Sequence, residues 1–227
     1  DLATRAFGKA ITSLVNKGLC DLAMGTISAN PLLNSVLDGT DHTLSADAGK
    51  VIAKHLSQEA QEKGEILLIV RAAEILAQGG SPDAATELLC EGWDAILNQG
   101  FLQAYLKTLS RVQATEGLAS KTNSRLQLLS ARTRQYQGNE NSALADMIEL
   151  AKSKDKWTQH HAIAGLINLY AKSGDFKQSI VCFKELEQTC KDKRLVLDVT
   201  LNAAQSMFRA GQLEDAEKLI RKGLKNL

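Results

Sequence analysis

One spacing recurs along this chain: a glycine, a small residue five positions later, and a bulky apolar residue four positions after that. The four copies are Gly80, Ala85, Leu89; Gly138, Ala143, Met147; Gly174, Ser179, Phe183; and Gly211, Ala216, Ile220. The pattern is typical of a helix-ending turn followed by an amphipathic helix. A single helical hairpin cannot bury its own apolar face, so the copies are expected to stack as a solenoid.

The composition favours an all-α protein. Only 2 of the 227 residues are proline and 4% are aromatic, whereas 44% are apolar. A β-sandwich or barrel needs many turn residues and β-branched or aromatic strands, and this chain is rich in Ala, Leu, Lys, Glu and Gln instead. The expected fold is therefore an α-solenoid of antiparallel helix hairpins.

The repeat is regular only in part, which suggests three blocks. Residues 1–64 form an atypical helical section, with a helix over 3–16, a short second helix carrying Ala23 and Ile27 after Gly18, and a loop from Gly39 to His42. Ser45 is expected to cap a helix that runs to about Gln61.

Residues 65–120 form the second block and residues 121–227 the third. The second holds a hairpin around Gly80, a further helix over 100–114 and an irregular connector over 113–123, because Gly80 and Gly138 are 58 residues apart. In the third block the glycines are 36 and 37 residues apart, and the second helices are expected over 140–152, 176–190 and 213–225.

Two repeats resemble the tetratricopeptide family. The residues that carry this resemblance are Ile69, Ala72, Ala73, Leu76, Gly80, Ala85 and Leu89 in one, and Ile163, Leu166, Tyr170, Gly174, Phe176, Ser179 and Phe183 in the other. The resemblance implies a right-handed superhelix whose first helices line a concave, partner-binding groove. Ile167 replaces the small residue of the pattern, which implies looser helix packing there.

The segments GLINLYAKSG (165–174) and FGKAITSLVNKG (7–18) resemble, more weakly, the pentatricopeptide family. That resemblance implies RNA reading by side chains at fixed helix positions. Asn202 would be the natural base-reading amide, but it is one residue out of register with Ala164, so a regular RNA code is not expected.

The tetratricopeptide resemblance implies a set of groove-facing positions on each first helix. The predicted partner-binding residues are Arg125, Arg132, Tyr136, His161, Asn168, Lys172, Gln205 and Arg209. The last helix pair also places Asp198 there, and the first clear repeat presents Leu67, Val70 and Glu74. Cationic side chains in such a groove suit an acidic segment or a C-terminal carboxylate. A merely solvated helix face is the alternative.

The charge is divided unevenly. The net charge of +1 combines −5 for residues 1–120 (9 basic, 14 acidic) with +6 for residues 121–227 (18 basic, 12 acidic). The basic half suits an acidic peptide or phosphates, although nucleic-acid modules usually carry a larger excess. Trp93 and Trp157 are expected to pack between repeats rather than to anchor a partner.

Nothing in the residues favours an enzyme. The four histidines have no metal-ligand spacing, and GLASKT (117–122) lacks the glycine that a phosphate loop places before its lysine. No catalytic residue, metal or cofactor is expected. Cys20, Cys90, Cys182 and Cys190 are expected to be buried free thiols, and no apolar run is long enough for a membrane span, so an intracellular location in the cytoplasm or an organelle is predicted. The missing initial methionine suggests a processed product or part of a longer chain.

We therefore expect a non-enzymatic scaffold that binds a protein or peptide and acts as a subunit of a larger assembly. An RNA-associated helical repeat protein, possibly organellar, is the alternative, and a regulatory domain of a longer enzyme is a third. The oligomeric state and the partner stay open.

Overall fold

The computed structural model describes residues 20–23, 26–29 and 46–224. Residues 1–44 and 45–227 are two compact units, and each is described by itself. The predicted helix over 3–16 and the loop from Gly39 to His42 lie outside the described residues.

The first unit contains a two-stranded antiparallel hairpin, β1 (Cys20–Ala23) and β2 (Thr26–Ala29). Cys20 pairs with Ala29 and Ala23 with Thr26. The prediction of a short helix through Ala23 and Ile27 was therefore wrong. Two residues, one of them Gly25, separate the segments, as in tight hairpins, and the β-branched residues Thr26 and Ile27 favour a strand.

The second unit is helical throughout its ten described elements. They are α1 (Ala46–Lys63), α2 (Leu67–Gln78), α3 (Pro82–Asn98), α4 (Leu102–Gln113), α5 (Ser120–Tyr136), α6 (Glu140–Leu150), α7 (Lys156–Ser173), α8 (Phe176–Thr189), α9 (Lys193–Arg209) and α10 (Leu213–Leu224). The predicted second helices in the C-terminal half agree with α6, α8 and α10 to within two residues. The predicted all-α solenoid of helix hairpins is confirmed.

The turns between helices explain the spacing in the sequence. At Gly138, which has a φ of 84°, the chain reverses: Gly138 N–H donates to the Gln135 carbonyl at 3.1 Å, and Asn139 N–H to the Arg134 carbonyl at 2.9 Å. These two hydrogen bonds satisfy carbonyl groups in the last turn of α5. They require a left-handed backbone conformation at residue 138, which glycine adopts without steric strain.

The residue after the glycine then starts the next helix. The Asn139 carbonyl accepts from the N–H of Ala143 at 3.1 Å, and Ala143 is fully buried beneath α5. The small residue five positions after the glycine is thus where the two helices of a hairpin approach each other.

Glycines at the α1–α2, α3–α4, α5–α6, α7–α8 and α9–α10 turns are spaced regularly. Gly64, Gly100, Gly138, Gly174 and Gly211 all have positive φ and lie 36, 38, 36 and 37 residues apart. The 58 residues between Gly80 and Gly138 thus contain one further turn of this kind, at Gly100, while Gly80 lies between α2 and α3, which pack on each other as a hairpin. Gly100 escapes the pattern because its fifth following residue is Tyr105, which is large and fully buried.

Alternate helices form the inner layer of the stack. Helix α3 contacts α5, α5 contacts α7, and α7 contacts α9. Near the other end α2 also contacts α4, so α2, α3 and α4 pack together as a three-helix group. Ile69, the fifth residue after Gly64, is large, and it packs against α3 at Gly92. A Cβ on Gly92 would lie 3.0 Å from Ile69 Cγ2, so the glycine leaves room for this side chain.

The core runs along the stack as three overlapping clusters. One joins α1 to α5, one joins α5 to α8, and one joins α7 to α10. Each cluster contains side chains from successive hairpins, so the stacking of one hairpin on the next buries the apolar side chains that stabilise the fold. Leu126 and Leu129 belong to the first cluster and Leu128 to the second, so α5 connects the two.

We predict that Gly165→Ala destabilises the fold by about 1–3 kcal/mol, because it overpacks a hairpin interface. A Cβ there would overlap Sδ of the buried Met147 across the α6–α7 contact. Urea unfolding measures the change. In the Met147→Ala background the same substitution should cost much less, and equal costs in both backgrounds would contradict this account.

Candidate peptide-binding groove

Alternate helices carry a set of polar and aromatic side chains, which we call the inner groove after the place that such residues are expected to take in a tetratricopeptide-like stack. Its members are Glu87, Cys90, Trp93 and Asp94 on α3, Arg125 and Arg132 on α5, Asp155, Trp157 and His161 at the start of α7, and Asp192 and Asp198 at the start of α9. Their charges act on one another: Asp94 and Asp198 both influence Arg132, and Arg132 influences His161. The groove is thus built by helices that are distant in sequence.

Arg125 is fully engaged within the protein. Its side chain is 13% exposed, its Nε donates to Asp155 Oδ2 at 3.1 Å, and Glu87 lies 3.7 Å away. The guanidinium also lies over the Trp157 ring, 5.0 Å from its centroid. A cation held by two carboxylates and an aromatic face is a structural cross-link between α3, α5 and α7.

Asp155 positions this cross-link because it also caps α7. It accepts hydrogen bonds from the backbone N–H of Thr158 at 3.2 Å and from the Thr158 hydroxyl at 2.7 Å. Burial acts to raise the pKa of Asp155, but the bonds from Thr158 and Arg125 outweigh burial and the pKa is lowered. The carboxylate is therefore held in its charged form, as a helix N-terminus prefers.

His161 stacks on Trp157 and is neutral. The two ring centroids are 4.0 Å apart, with 27° between the planes, and His161 Nδ1 donates to the Trp157 carbonyl at 2.8 Å. Burial lowers the pKa of His161 to about 4, and the charge of Arg132 acts in the same direction. Because Nδ1 carries the proton, Nε2 is an acceptor at neutral pH.

Arg132 differs from Arg125 because it has no carboxylate within ion-pair distance among the described residues. Its guanidinium lies 5.6 Å from the centroid of Trp93, which is 5% exposed and meets Tyr105 edge-on at 5.3 Å. Burial lowers the pKa of Arg132, while Asp94 and Asp198 act in the opposite sense. A half-buried guanidinium that has no hydrogen-bond or ion-pair partner among the described residues can donate to a ligand.

The other predicted site residues are dispersed. Asn168 accepts a hydrogen bond from Asn202 at 2.6 Å, and Lys172 pairs with Glu140 at 3.3 Å. Tyr136 is exposed, Arg209 is exposed at the end of α9, and Gln205 lines an apolar cavity between α9 and α10. The structure thus brings Arg125, Arg132 and His161 together but separates the remaining five from them.

Asp94 and Cys90 were not predicted because the turn at Gly100 was not recognised in the sequence. Asp94 stands six residues before Gly100, just as Arg132 stands six before Gly138. Recognising Gly100 as a turn would have placed α3 in the inner layer. Trp93 packs in the core as predicted, whereas Trp157 is only partly buried.

The described helices resemble solved structures of repeat proteins. The MamA protein matches with a TM-score of 0.51 and 12% identity, over 78% of this chain and 91% of that one. TPR-like repeats from Podosopora anserina, assigned to a kinesin light chain, match with a TM-score of 0.51 and 17% identity, over 82% of this chain and 96% of that one. A single-residue variant of those repeats gives a TM-score of 0.51 and 16% identity, over 79% and 92%.

The chain has a tetratricopeptide-like repeat fold. No protein-family model and no curated protein matches it. The predicted tetratricopeptide resemblance is confirmed at the level of the fold.

The tetratricopeptide-like stack shows no metal centre in the part of the chain that is described: no three His, Cys, Asp or Glu side chains there could hold an ion. None of the described helices has the length and apolar character that crossing a bilayer requires. Cys90, Cys182 and Cys190 are partly buried free thiols. Burial raises the pKa of Cys90 to about 12 and that of Cys182 to about 11, so neither is a reactive thiolate at neutral pH.

We predict that His161 makes the fold acid-sensitive. Its pKa is about 4 in the folded chain, against an ordinary value of 6.5, so below pH 6.5 the unfolded chain binds more protons. Stability should fall by roughly 2 to 3 kcal/mol as the pH drops from 6.5 to 4.

Urea unfolding at several pH values measures this dependence. His161→Phe keeps a ring on Trp157 without a titrating group, and it should remove that part of the pH dependence. Identical pH profiles for the wild type and His161→Phe would refute the assignment.

Proposed function

We propose that this chain is a non-enzymatic scaffold that binds a peptide segment of a protein partner in the inner groove. The observation that supports this best is Arg132, a half-buried guanidinium that lies on Trp93 without an ion-pair partner among the described residues. A partner's carboxylate or C-terminus would complete the pair that the fold itself leaves open.

The carboxylates around Arg132 define the ligand further. Asp94 and Asp198 approach from α3 and α9, and Asp192 adds to the field around Asp198. Burial raises the pKa of Asp198, and the neighbouring carboxylates of Asp94 and Asp192 act in the same direction. A uniformly acidic peptide would be repelled on both sides of Arg132. The groove therefore suits a segment of mixed charge, with one acidic group at Arg132 and cationic or N–H groups at the flanking aspartates.

The same geometry disfavours RNA in this groove. An RNA-binding stripe would need Arg125, Arg132, Lys172 and Arg209 to present free positive charge together. Arg125 is neutralised by Asp155 and Glu87, and Lys172 by Glu140. An RNA-associated function stays the alternative proposal. The scaffold proposal includes an intracellular location and membership of a larger assembly.

We predict that Arg132 selects an acidic side chain in a bound peptide. Peptides selected on the wild-type protein from a random displayed library should share one Asp, Glu or C-terminal carboxylate. Arg132→Glu should weaken binding of a selected peptide by about 100-fold, since it replaces an attraction with a repulsion in a half-buried site. Fluorescence anisotropy of the labelled peptide measures the loss.

Lys172→Glu is the matched control, because Lys172 is a cation on the neighbouring first helix that already pairs with Glu140. It should change peptide affinity by less than about threefold. Equal losses for the two variants, or selected peptides without an acidic position, would show that Arg132 is not the recognition group. Saturable binding of a random-sequence single-stranded RNA that weakens steeply with salt would favour the alternative instead.

A further inference from the structure

The last hairpin exposes an apolar surface that we call the end face. It consists of Leu201 and Phe208 on α9 and Leu213, Ile220 and Leu224 on α10, which are 42–70% exposed. These side chains border a groove of about 850 Å³ whose floor includes Ala204 and Ala216. The end face is independent of the inner groove and of the function proposed for it.

Equivalent positions in earlier hairpins are buried. Nine residues after the last three turn glycines, Gly138, Gly174 and Gly211, stand Met147, Phe183 and Ile220, which are 0%, 1% and 42% exposed. Ten residues before the glycine stand Leu128, Ala164 and Leu201, with exposures of 0%, 2% and 70%. The end face therefore has the residue types of an internal stacking surface, and no described helix covers it as the next hairpin covers the earlier ones.

The way in which the internal faces are covered shows what fits the end face. Met147 is covered by α7, where Gly165 lets the backbone come close. Phe183 lies in one cluster with Val199, Ala203 and Met207 of α9. In both cases the cover is an apolar helix face of this same chain.

Among the described side chains, apolar surface of this extent is concentrated at the end face. Helix α1, at the other end of the solenoid, exposes one large apolar side chain among those described, Val51. Val181 on α8 and Ile148 on α6 stand singly. The described surface that best matches the end face in chemistry is therefore the end face of a second copy.

We propose that two copies of this chain pair through their end faces about a two-fold axis. A two-fold interface requires a self-complementary patch. The charged residues Glu217 and Arg221, which border the end face, provide such complementarity. Glu217 and Arg221 stand four residues apart on α10 and pair with each other at 2.7 Å. In an antiparallel α10–α10 contact, Glu217 of one copy faces Arg221 of the other, so the same charges complete the interface.

The area is sufficient for a reversible dimer. Five large, half-exposed apolar side chains bury on the order of 500 Å² per copy, or about 1,000 Å² for the pair, which is at the lower limit of specific interfaces. The pair should therefore dissociate on dilution rather than be permanent.

Sedimentation velocity and light scattering over a concentration series test this proposal. The wild-type protein should shift from monomer to dimer, without larger species, between low micromolar and several hundred micromolar concentration. The double variant Leu201→Glu, Phe208→Glu should raise the dissociation constant by about tenfold or more, because it places charges at the centre of an apolar contact. Val181→Glu, which changes an equally exposed apolar residue on α8, should leave it unchanged.

Amide hydrogen exchange locates the contact. Peptides from α10 should exchange more slowly at high concentration in the wild type and not in the double variant, and circular dichroism should show that both variants keep their helices. A wild-type protein that stays monomeric at several hundred micromolar would overturn the proposal. So would a dimer that the double variant leaves intact, or open-ended oligomers, which would indicate head-to-tail stacking instead.

Discussion

The stacking of one hairpin on the next is the interaction on which the rest of this molecule depends. Two antiparallel helices leave an apolar face uncovered, and each of the three core clusters closes that face with side chains of the following hairpin. The contacts work by pairing a bulky side chain with a small one, as Met147 does with Gly165. Stability is therefore distributed along the solenoid, and a substitution at one helix–helix contact affects the hairpins on either side of it.

The inner groove is a consequence of the same stacking. Because the turns recur every 36 to 38 residues, side chains at equivalent positions of α3, α5, α7 and α9 face one surface. Arg125 and Arg132 both lie there, but only Arg125 reaches Asp155, which the N-terminus of α7 holds in place. The capping residue of one helix thus pairs with Arg125, whereas Arg132 has no ion-pair partner in the described part of the chain.

The sequence revealed the class of fold and the C-terminal turns because these depend on local chemistry. A positive φ calls for glycine and a close helix contact calls for a small residue, and Gly138, Gly174 and Gly211 satisfy both rules. The turns at Gly64 and Gly100 were not recognised, because the fifth residue after each is large: Ile69 and Tyr105 stand where the pattern has a small residue. Tertiary packing accommodates these side chains, Ile69 against Gly92. The strands Cys20–Ala23 and Thr26–Ala29 were mistaken for a short helix. Segments of four residues fit both the helical and the strand periodicity of apolar residues.

The groove was predicted less well than the fold, because position on a helix does not determine the ionic partner. The sequence predicted His161, Arg125 and Arg132 on one face, and the structure brings these three side chains together. The pairing of Arg125, and the absence of an ion-pair partner for Arg132 among the described residues, depend on distances between helices. The two candidate surfaces also discriminate differently. The groove offers oriented donors and acceptors that penalise a wrong partner, whereas the end face offers apolar area with little directional demand. A two-fold pair would carry two inner grooves, so a partner with two copies of the recognised segment would gain avidity by binding both.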